Sequence, residues 1–422
     1  MNKKERLFFK KDILSNGLTL YSQFDPSVEF ADVTFIAPVG SAHNYGDIIP
    51  GTFHFLEHLL MSRSRLCPVF AATKERASLF GGRFGATTRF GQTCYELQIP
   101  SLHFSEMFED VLSHVFYPNI LLEDISREKG VVANERKRRA TFYPAQNERS
   151  HYVCTEWKND CAYPLEQIFG TDQDLERMDL SYLEKIHRDY YMTDRTCVVI
   201  VGNFNHHEVM TALNVPALAS KESLIEPSYQ KTSWKRPRFH EFTTSEVSRF
   251  QYHVETIYPT KIMDDHVYKI LLNIIGQMLG NYSYGSLMQW LRHEKGWLYE
   301  INTPGKVWMG TVSHGLMIPL NSMDQVELVR HELMGRIFDT LIDEKTFQKA
   351  KQQIAHSSVF WYQTTRDRAE AAVNQLQFYG ETRPESKHWE IFDSIEFPML
   401  RDVFEKSIQP NIGELLMIPV KK

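Results

Sequence analysis

The sequence predicts an α+β protein in which each half of the chain forms a mainly antiparallel β-sheet packed with α-helices. Two observations lead to this prediction. Short strand-like apolar runs alternate with longer helical segments along the whole chain, and such mixtures pack helices against a sheet. The order of strands and helices in the second half also resembles the order in the first half, which indicates a duplication.

The elements follow from apolar periodicity and from the turn residues between them. The first half predicts strands at 18–21 and 31–36, a helix at 51–62, a glycine-rich hairpin over 80–97, several further helices, a helix at 180–191 and a strand at 196–202. The second half predicts a strand at 250–258, a helix at 266–279, long helices at 325–340 and 344–370, a helix at 398–407 and a strand at 413–419. We expect the helices to lie on one face of each sheet.

A stretch rich in Pro, Ser, Lys and Glu separates the two halves. We therefore expect an N-terminal domain over 1–215, a linker over 216–244 and a C-terminal domain over 245–422.

The segment His54-Phe55-Leu56-Glu57-His58 has the pattern H-x-x-E-H. On a helix, residues four apart share a face, so two imidazoles could bind one Zn²⁺. Glu57 would lie close enough to act as a general base, and Thr52 is a suitable N-cap for this helix. This order of residues is the inverzincin pattern. A pair of histidines on a helix is more often a packing feature, so a third ligand is needed to distinguish a metal site from packing.

A long predicted helix from 122 to 143 offers that ligand. Glu128 and Glu135 are seven residues apart and share one helix face, and 76 residues lie between His58 and Glu135. The alternative is a solvated helix face among neighbouring charges. With this spacing the chain resembles the M16 family of zinc metallopeptidases, which includes pitrilysin, insulin-degrading enzyme and mitochondrial processing peptidase.

The resemblance implies a role for each of these residues. His54, His58 and Glu135 would bind Zn²⁺, Glu57 would be the catalytic base and Glu128 would support the site. It also implies two homologous domains with the fold shared by LuxS and M16 peptidases. The function implied is that of a zinc metalloendopeptidase that hydrolyses short or unfolded peptides through a metal-activated water.

A second motif lies in the C-terminal half, where Arg292 and Tyr299 are seven residues apart and flank Gly296. The resemblance implies that both are catalytic and stabilise the substrate carbonyl and its oxyanion. The alternative is a helix capped by Gly296, with Arg292 solvated and Tyr299 half-buried on the next strand.

One position departs from the family pattern. Gly85 stands where the family usually carries Asn, in a stretch at 83–89 that we expect to be an exposed edge strand. A peptide substrate would bind there as an added strand. The departure leaves the substrate geometry and the catalytic rate open.

The composition narrows the class of protein, its partners and its location. The 422 residues are 42% hydrophobic and 24% charged with a formal net charge of −6, which fits a globular protein and argues against a nucleic-acid partner. The absence of a long apolar run argues against a membrane protein, and the absence of a secretory signal predicts a cytoplasmic one. Five scattered cysteines predict neither a disulfide framework nor a structural zinc site: Cys67, Cys94, Cys154, Cys161 and Cys197.

The sequence leaves alternatives for the oligomeric state and for the function of the protein. Because this chain carries both motifs, we expect a homodimer rather than a heterodimer with an M16-like paralogue. A non-catalytic partner or scaffold subunit of a processing peptidase is the alternative function, and a zinc-dependent peptide-binding module is a third. The intact motif residues favour the enzyme, whereas the departure at Gly85 leaves the scaffold function as an alternative.

Overall fold

The computed structural model describes residues 5–44, 46–142, 157–158, 168–216, 218, 230–231, 238–259, 264–280, 285–303, 305–308 and 311–420. They form two compact units. The first unit contains the described residues of 1–139, 158–230 and 362–385, and the second contains those of 140–157, 231–361 and 386–422.

The strands are β1 (Lys10–Ile13), β2 (Thr19–Phe24), β3 (Phe30–Ala37), β4 (Arg83–Thr88), β5 (Thr93–Pro100), β6 (Trp157–Lys158), β7 (Cys197–Gly202), β8 (Gln230–Lys231), β9 (Phe239–Thr244), β10 (Phe250–Pro259), β11 (Gly305–Trp308), β12 (Thr311–Leu320) and β13 (Ile412–Pro419).

The helices are α1 (Thr52–Ser62), α2 (Ala72–Leu79), α3 (Phe104–Phe116), α4 (Leu122–Phe142), α5 (Asp172–Arg177), α6 (Leu180–Tyr190), α7 (His206–Ala212), α8 (Asp265–Leu279), α9 (Ser286–Met288), α10 (Met323–Leu341), α11 (Glu344–Ser357), α12 (Thr365–Tyr379), α13 (Glu385–Ser394) and α14 (Phe397–Val403). Helix α9 continues as a π-helix over Gln289–Glu294, and α14 continues as one over Phe404–Ile408.

The two large sheets share one topology. Sheet 1 has the order β1-β2-β7-β3-β5-β4, and sheet 2 has the order β11-β12-β10-β13-β9. Read from the other end, sheet 2 repeats the order of sheet 1, without an equivalent of β1 among the described residues. In each sheet one pair is parallel, β2 with β7 and β9 with β13, and all other pairs are antiparallel. The predicted α+β class with a duplicated, mainly antiparallel sheet is confirmed. A small ribbon pairs β6 with β8.

Sheet 1 is apolar on both faces. One face carries buried side chains such as Phe35 and Leu97, which join α1 and α3 in a single core. The opposite face carries Tyr21, Ile36 and Cys94, which pack against α12. Because alternate residues of a strand point to opposite faces, these strands bury both sets of side chains. The prediction that helices cover only one face is therefore wrong for sheet 1.

Helix α12 also corrects two other predictions. The predicted helix over 344–370 is broken between α11 and α12, where Tyr362 has a φ of 56°. Helix α12 then packs on sheet 1 of the first unit, although the sequence places it in the domain 245–422. Helix α12 lies there because its packing buries the apolar face of sheet 1 away from water.

The predicted linker over 216–244 is too long at its C-terminal end. Residues 239–244 form β9, which pairs with β13 and completes sheet 2. Residues 217, 219–229 and 232–237 of that stretch lie outside the described residues.

Candidate metal centre

Helix α1 begins with a tight backbone approach. Gly51 precedes it with a φ of 86°, and a Cβ atom at Gly51 would lie 2.5 Å from the Gly170 nitrogen. The Thr52 hydroxyl lies 2.8 Å from the Tyr182 hydroxyl and donates to the Ile49 carbonyl oxygen at 2.6 Å. The N-cap of α1 is Gly51, whereas the sequence predicts Thr52. Glycine occupies this position because any other residue would bring a Cβ atom into a clash.

Helices α1 and α4 bring three potential metal ligands together. His54 Nε2 lies 3.7 Å and His58 Nε2 lies 3.6 Å from Glu135 Oε2. The ligand atoms of these three side chains all lie within 4.8 Å of one another. Two imidazole nitrogens and one carboxylate oxygen form a donor set that suits Zn²⁺ and leaves a position for substrate. These are the three residues that the sequence predicts as ligands.

Glu128 determines which nitrogen of His58 faces Glu135. Its Oε2 atom lies 3.0 Å from His58 Nδ1, and its Oε1 atom accepts from Arg127 Nε at 3.2 Å. Arg127 also donates to the buried Asp124, to which Arg63 Nε donates at 2.8 Å. A carboxylate on the far nitrogen is the usual support of a metal-binding histidine, because it fixes the tautomer and the ring orientation.

The electrostatics of the site favour a cation between the three ligands. Burial lowers the pKa of His54 to about 4, so its imidazole is neutral near pH 7. Burial acts in the same direction on His58, but the hydrogen bond with Glu128 and the nearby Glu135 carboxylate outweigh it and raise the pKa of His58 to about 9. The interaction with His58 lowers the pKa of Glu135. A proton thus stabilises this pair without metal, and a metal ion on the same atoms would replace that proton. The residues present fit Zn²⁺.

Glu57 lies on the same helix turn and is buried, with 9% of its surface exposed. Its Oε2 atom accepts a hydrogen bond from the Thr88 hydroxyl at 2.7 Å. Burial raises the pKa of Glu57, which increases its proton affinity. Thr88 is the last residue of β4, so this bond ties the edge strand to α1. Sequence reasoning missed Thr88, because a threonine in a strand carries no signal of its own.

Strand β4 is an edge strand, as predicted. It pairs with β5 on one side, and among the described residues no strand pairs with its other side. Gly85 lies in the middle of β4, and a Cβ atom there would meet nothing within 4 Å. The free backbone groups of β4 can therefore hydrogen-bond to an extended peptide.

Arg292 and Tyr299 lie in the second unit and contact each other. Arg292 Nη1 donates to the Tyr299 carbonyl oxygen at 3.0 Å, and the guanidinium carbon lies 4.4 Å from the centre of the Tyr299 ring. Gly296, with a φ of 67°, ends the helical segment, as the alternative interpretation of this motif expects. The Tyr299 side chain is 73% exposed and precedes β11, so it is not half-buried on a strand. The catalytic role of both residues stays a prediction.

Among the described residues, no helix combines the length and hydropathy needed to cross a bilayer.

Two family models match the chain. The model described as insulinase (peptidase family M16) matches residues 19–159, and the model described as peptidase M16 inactive domain matches residues 177–354.

Several known proteins are similar to this chain. The uncharacterized zinc protease YmxG of Bacillus subtilis is 23% identical over 372 residues, which cover 85% of this chain and 86% of that protein. The mitochondrial-processing peptidase subunit beta of Blastocladiella emersonii is 23% identical over 238 residues, or 51% of this chain and 46% of that protein.

Solved structures share the fold over the whole chain. A protease from Helicobacter pylori superposes with a TM-score of 0.80 at 18% identity and covers 98% of this chain and 99% of its own. A peptidase M16 inactive domain from Pseudomonas fluorescens superposes with a TM-score of 0.72 at 15% identity, with 98% of both chains covered. Because the two family models together span well over half of the sequence, this chain belongs to peptidase family M16 and is of its short two-domain type.

Proposed function

We propose that this protein is a zinc-dependent endopeptidase that hydrolyses short or unfolded peptides. The convergence of the ligand atoms of His54, His58 and Glu135 within 4.8 Å carries this proposal. The Glu57 carboxyl one residue before His58 supplies the base that peptide hydrolysis requires. The name zinc protease, which several relatives bear, supports the same function.

The residues of the site divide the chemistry among them. When bound, zinc would supply a Lewis acid for the activation of water and the polarisation of an amide carbonyl. Glu57 accepts the proton that the attacking water loses and passes it to the leaving amine. Glu128 holds His58 with Nε2 towards the metal position, and Thr88 keeps the Glu57 carboxylate in one orientation. Arg292 and Tyr299 act as donors to the oxyanion in this proposal.

The edge strand β4 provides the place for a substrate backbone. An extended peptide that pairs with β4 would run past Thr88 and so past Glu57, to which Thr88 is hydrogen-bonded. Because this mode needs a free strand of substrate, it selects short or unfolded peptides over folded proteins.

A quenched fluorescent peptide without structure of its own tests the function. The wild-type protein loaded with zinc should hydrolyse it, and Glu57→Gln should keep one zinc per chain but lose hydrolysis. Glu184→Gln, on the exposed face of α6, is the matched control and should keep both. Hydrolysis at the wild-type rate by Glu57→Gln would contradict the assignment of the base.

The same assay separates the alternatives. A non-catalytic partner or scaffold subunit would hydrolyse nothing, with or without zinc. A zinc-dependent peptide-binding module would bind the peptide only with zinc and leave it intact. The family model that matches residues 177–354 is described as an inactive domain, which is consistent with the scaffold alternative.

We also propose a homodimer, because one chain carries both the metal-ligand motif and the Arg292 and Tyr299 pair. Light scattering on the active preparation should give twice the chain mass, and a fully active monomer would contradict this proposal.

A further inference from the structure

The two histidines of the candidate metal centre are supported in different ways. The Nδ1 atom of His58 lies 3.0 Å from the Glu128 carboxylate. The Nδ1 atom of His54 is buried and has no hydrogen-bond partner among the described residues. Since a hydrogen bond on the far nitrogen usually orients a metal-binding imidazole, another contact must determine the orientation of the His54 ring.

Phe169 supplies a contact of this kind. The centre of its ring lies 4.8 Å from the centre of the His54 ring, and the two planes are at 85° to each other. Such edge-to-face pairs are favourable, because the positive edge of one ring meets the negative face of the other. Only 5% of the Phe169 surface and 7% of the His54 surface are exposed, so water does not compete for this contact.

The backbone at Phe169 is packed tightly against the start of α1. A Cβ atom at Gly51 would lie 2.7 Å from the Phe169 carbonyl oxygen and 2.5 Å from the Gly170 nitrogen. A Cβ atom at Gly170 would in turn lie 2.5 Å from the Pro50 carbonyl oxygen. Because Gly51 lies three residues before His54, these contacts fix Phe169 relative to the candidate ligand.

Helix α4 holds the same segment through the residue that follows its own candidate ligand. Arg136 comes directly after Glu135, and its guanidinium donates to the Gly170 carbonyl oxygen. It also donates to the Asp172 carboxylate at 2.5 Å. The segment that carries Phe169 is therefore attached to both helices that carry the candidate ligands.

An aromatic ring and a carboxylate affect a histidine differently. A carboxylate at Nδ1 raises the basicity of the imidazole and fixes its tautomer. A phenyl ring accepts at most a weak hydrogen bond, so it orients the imidazole without making it more basic. The position of His54 in the site thus depends on packing, whereas the position of His58 depends on charge.

We infer that Phe169 is a positioning residue for His54, whose imidazole it holds with Nε2 towards Glu135. It has for His54 the role that Glu128 has for His58. The inference rests on the proposed zinc-dependent function. Without the aromatic ring, the His54 imidazole can turn away from Glu135, so the site binds zinc less tightly.

Zinc binding to the full chain tests this inference without turnover. Competition with a chromophoric chelator gives the zinc Kd. Phe169→Leu keeps an apolar side chain but loses the ring, so we expect about three- to tenfold weaker zinc binding. Phe169→Tyr keeps the ring and should keep the wild-type Kd. The matched control Phe104→Leu removes a buried ring that stacks on Phe108 in the same core, and it should also keep the wild-type Kd.

Cobalt absorption distinguishes a displaced ligand from a general loss of stability. The visible bands of bound Co²⁺ depend on the ligands and on their geometry. These bands should change in Phe169→Leu and stay unchanged in Phe104→Leu. Urea unfolding of the metal-free chains should show a loss of stability in both variants, because each removes buried apolar contacts.

The outcomes separate this inference from the proposed function. An unchanged zinc Kd or an unchanged cobalt spectrum in Phe169→Leu would overturn the positioning role. Equal changes in Phe104→Leu, or zinc binding in Phe169→Tyr as weak as in Phe169→Leu, would overturn it as well. If these variants fail the test while the wild-type protein hydrolyses peptides, only the positioning role fails. If they behave as expected but the wild-type protein hydrolyses nothing, only the proposed function fails.

Discussion

His58 Nδ1 lies 3.0 Å from Glu128 Oε2, so a buried carboxylate of α4 fixes the ring nitrogen that His58 presents to Glu135. The two residues are 70 positions apart in sequence. Arg127 holds the other oxygen of Glu128, and Asp124 connects Arg127 to Arg63. The orientation of the candidate ligand thus depends on a chain of ion pairs that runs away from the site.

Glu128→Gln should weaken zinc binding by about 10- to 100-fold, because the amide holds His58 and its tautomer less firmly than the carboxylate. Competition with a chromophoric chelator gives the zinc Kd. Glu184→Gln on the exposed face of α6 should leave that Kd unchanged. Equal zinc affinity in Glu128→Gln and wild type would remove Glu128 from the support of the site.

Gly51→Ala should lower both stability and zinc affinity. Its φ of 86° strains any residue with a side chain by about 1–2 kcal/mol, and its new Cβ would also clash with Gly170 and displace the start of α1. Gly81→Ala separates the two effects, because Gly81 has a φ of 77° but nothing within 4 Å of its Cβ position.

Urea unfolding and zinc titration measure the two effects of these glycine substitutions. Gly81→Ala should lose only the conformational part of the stability and none of the zinc affinity. The same zinc Kd in both variants would show that the Gly51 contact does not position the ligands.

Thr365→Val should destabilise the first unit by about 1–3 kcal/mol. The Thr365 hydroxyl donates to the buried Asp32 at 2.6 Å, and its loss leaves a carboxylate oxygen of Asp32 without that donor. The shift in the urea midpoint of the unfolding transition measures the effect. Thr87→Val, on the exposed position of β4, should shift the midpoint much less. Equal shifts would mean that the bond does not anchor α12.

Asp25 should make stability depend on pH in the acid range. Hydrogen bonds from Ser27 and then Arg368 lower its pKa to about 2. Because the folded-state pKa lies below the unfolded-state value near 4, the contribution is complete above pH 4 and is lost as the pH falls through about 2.

Asp25→Asn tests this dependence through the free energy of unfolding at several pH values. The variant should be less stable than wild type at pH 7, and the difference should shrink between pH 4 and pH 2. Asp47→Asn at an exposed position should show no such convergence. A difference that stays constant down to pH 2 would contradict the role of Asp25 in holding α12.

Local pattern predicted much of this structure. The four-residue spacing of His54 and His58 on a helix, and the seven-residue spacing of Glu128 and Glu135, need only helical periodicity. Strands such as β3 and β7 lie within one or two residues of their predicted bounds, because continuous apolar runs mark buried strands.

Long-range packing accounts for what the sequence did not predict. Helical periodicity continues from 344 to 370, but a capping box of Thr364 and Asp367 begins a new helix at Thr365. Helix α12 then packs on sheet 1, where its Thr365 hydroxyl bonds to Asp32 of β3, more than 300 residues earlier in the chain. The N-cap at Gly51 depends on contact with Gly170, which sequence proximity cannot provide.

X-ray absorption at the zinc K-edge tests the central assignment most directly. For the zinc-loaded chain we predict nitrogen and oxygen ligands, with the scattering pattern of two imidazoles, and no sulfur. In His54→Ala and His58→Ala this pattern should fall to one imidazole or the zinc should be lost. Zinc–sulfur distances of about 2.3 Å, or a two-imidazole pattern that persists in both variants, would contradict the assignment of His54, His58 and Glu135.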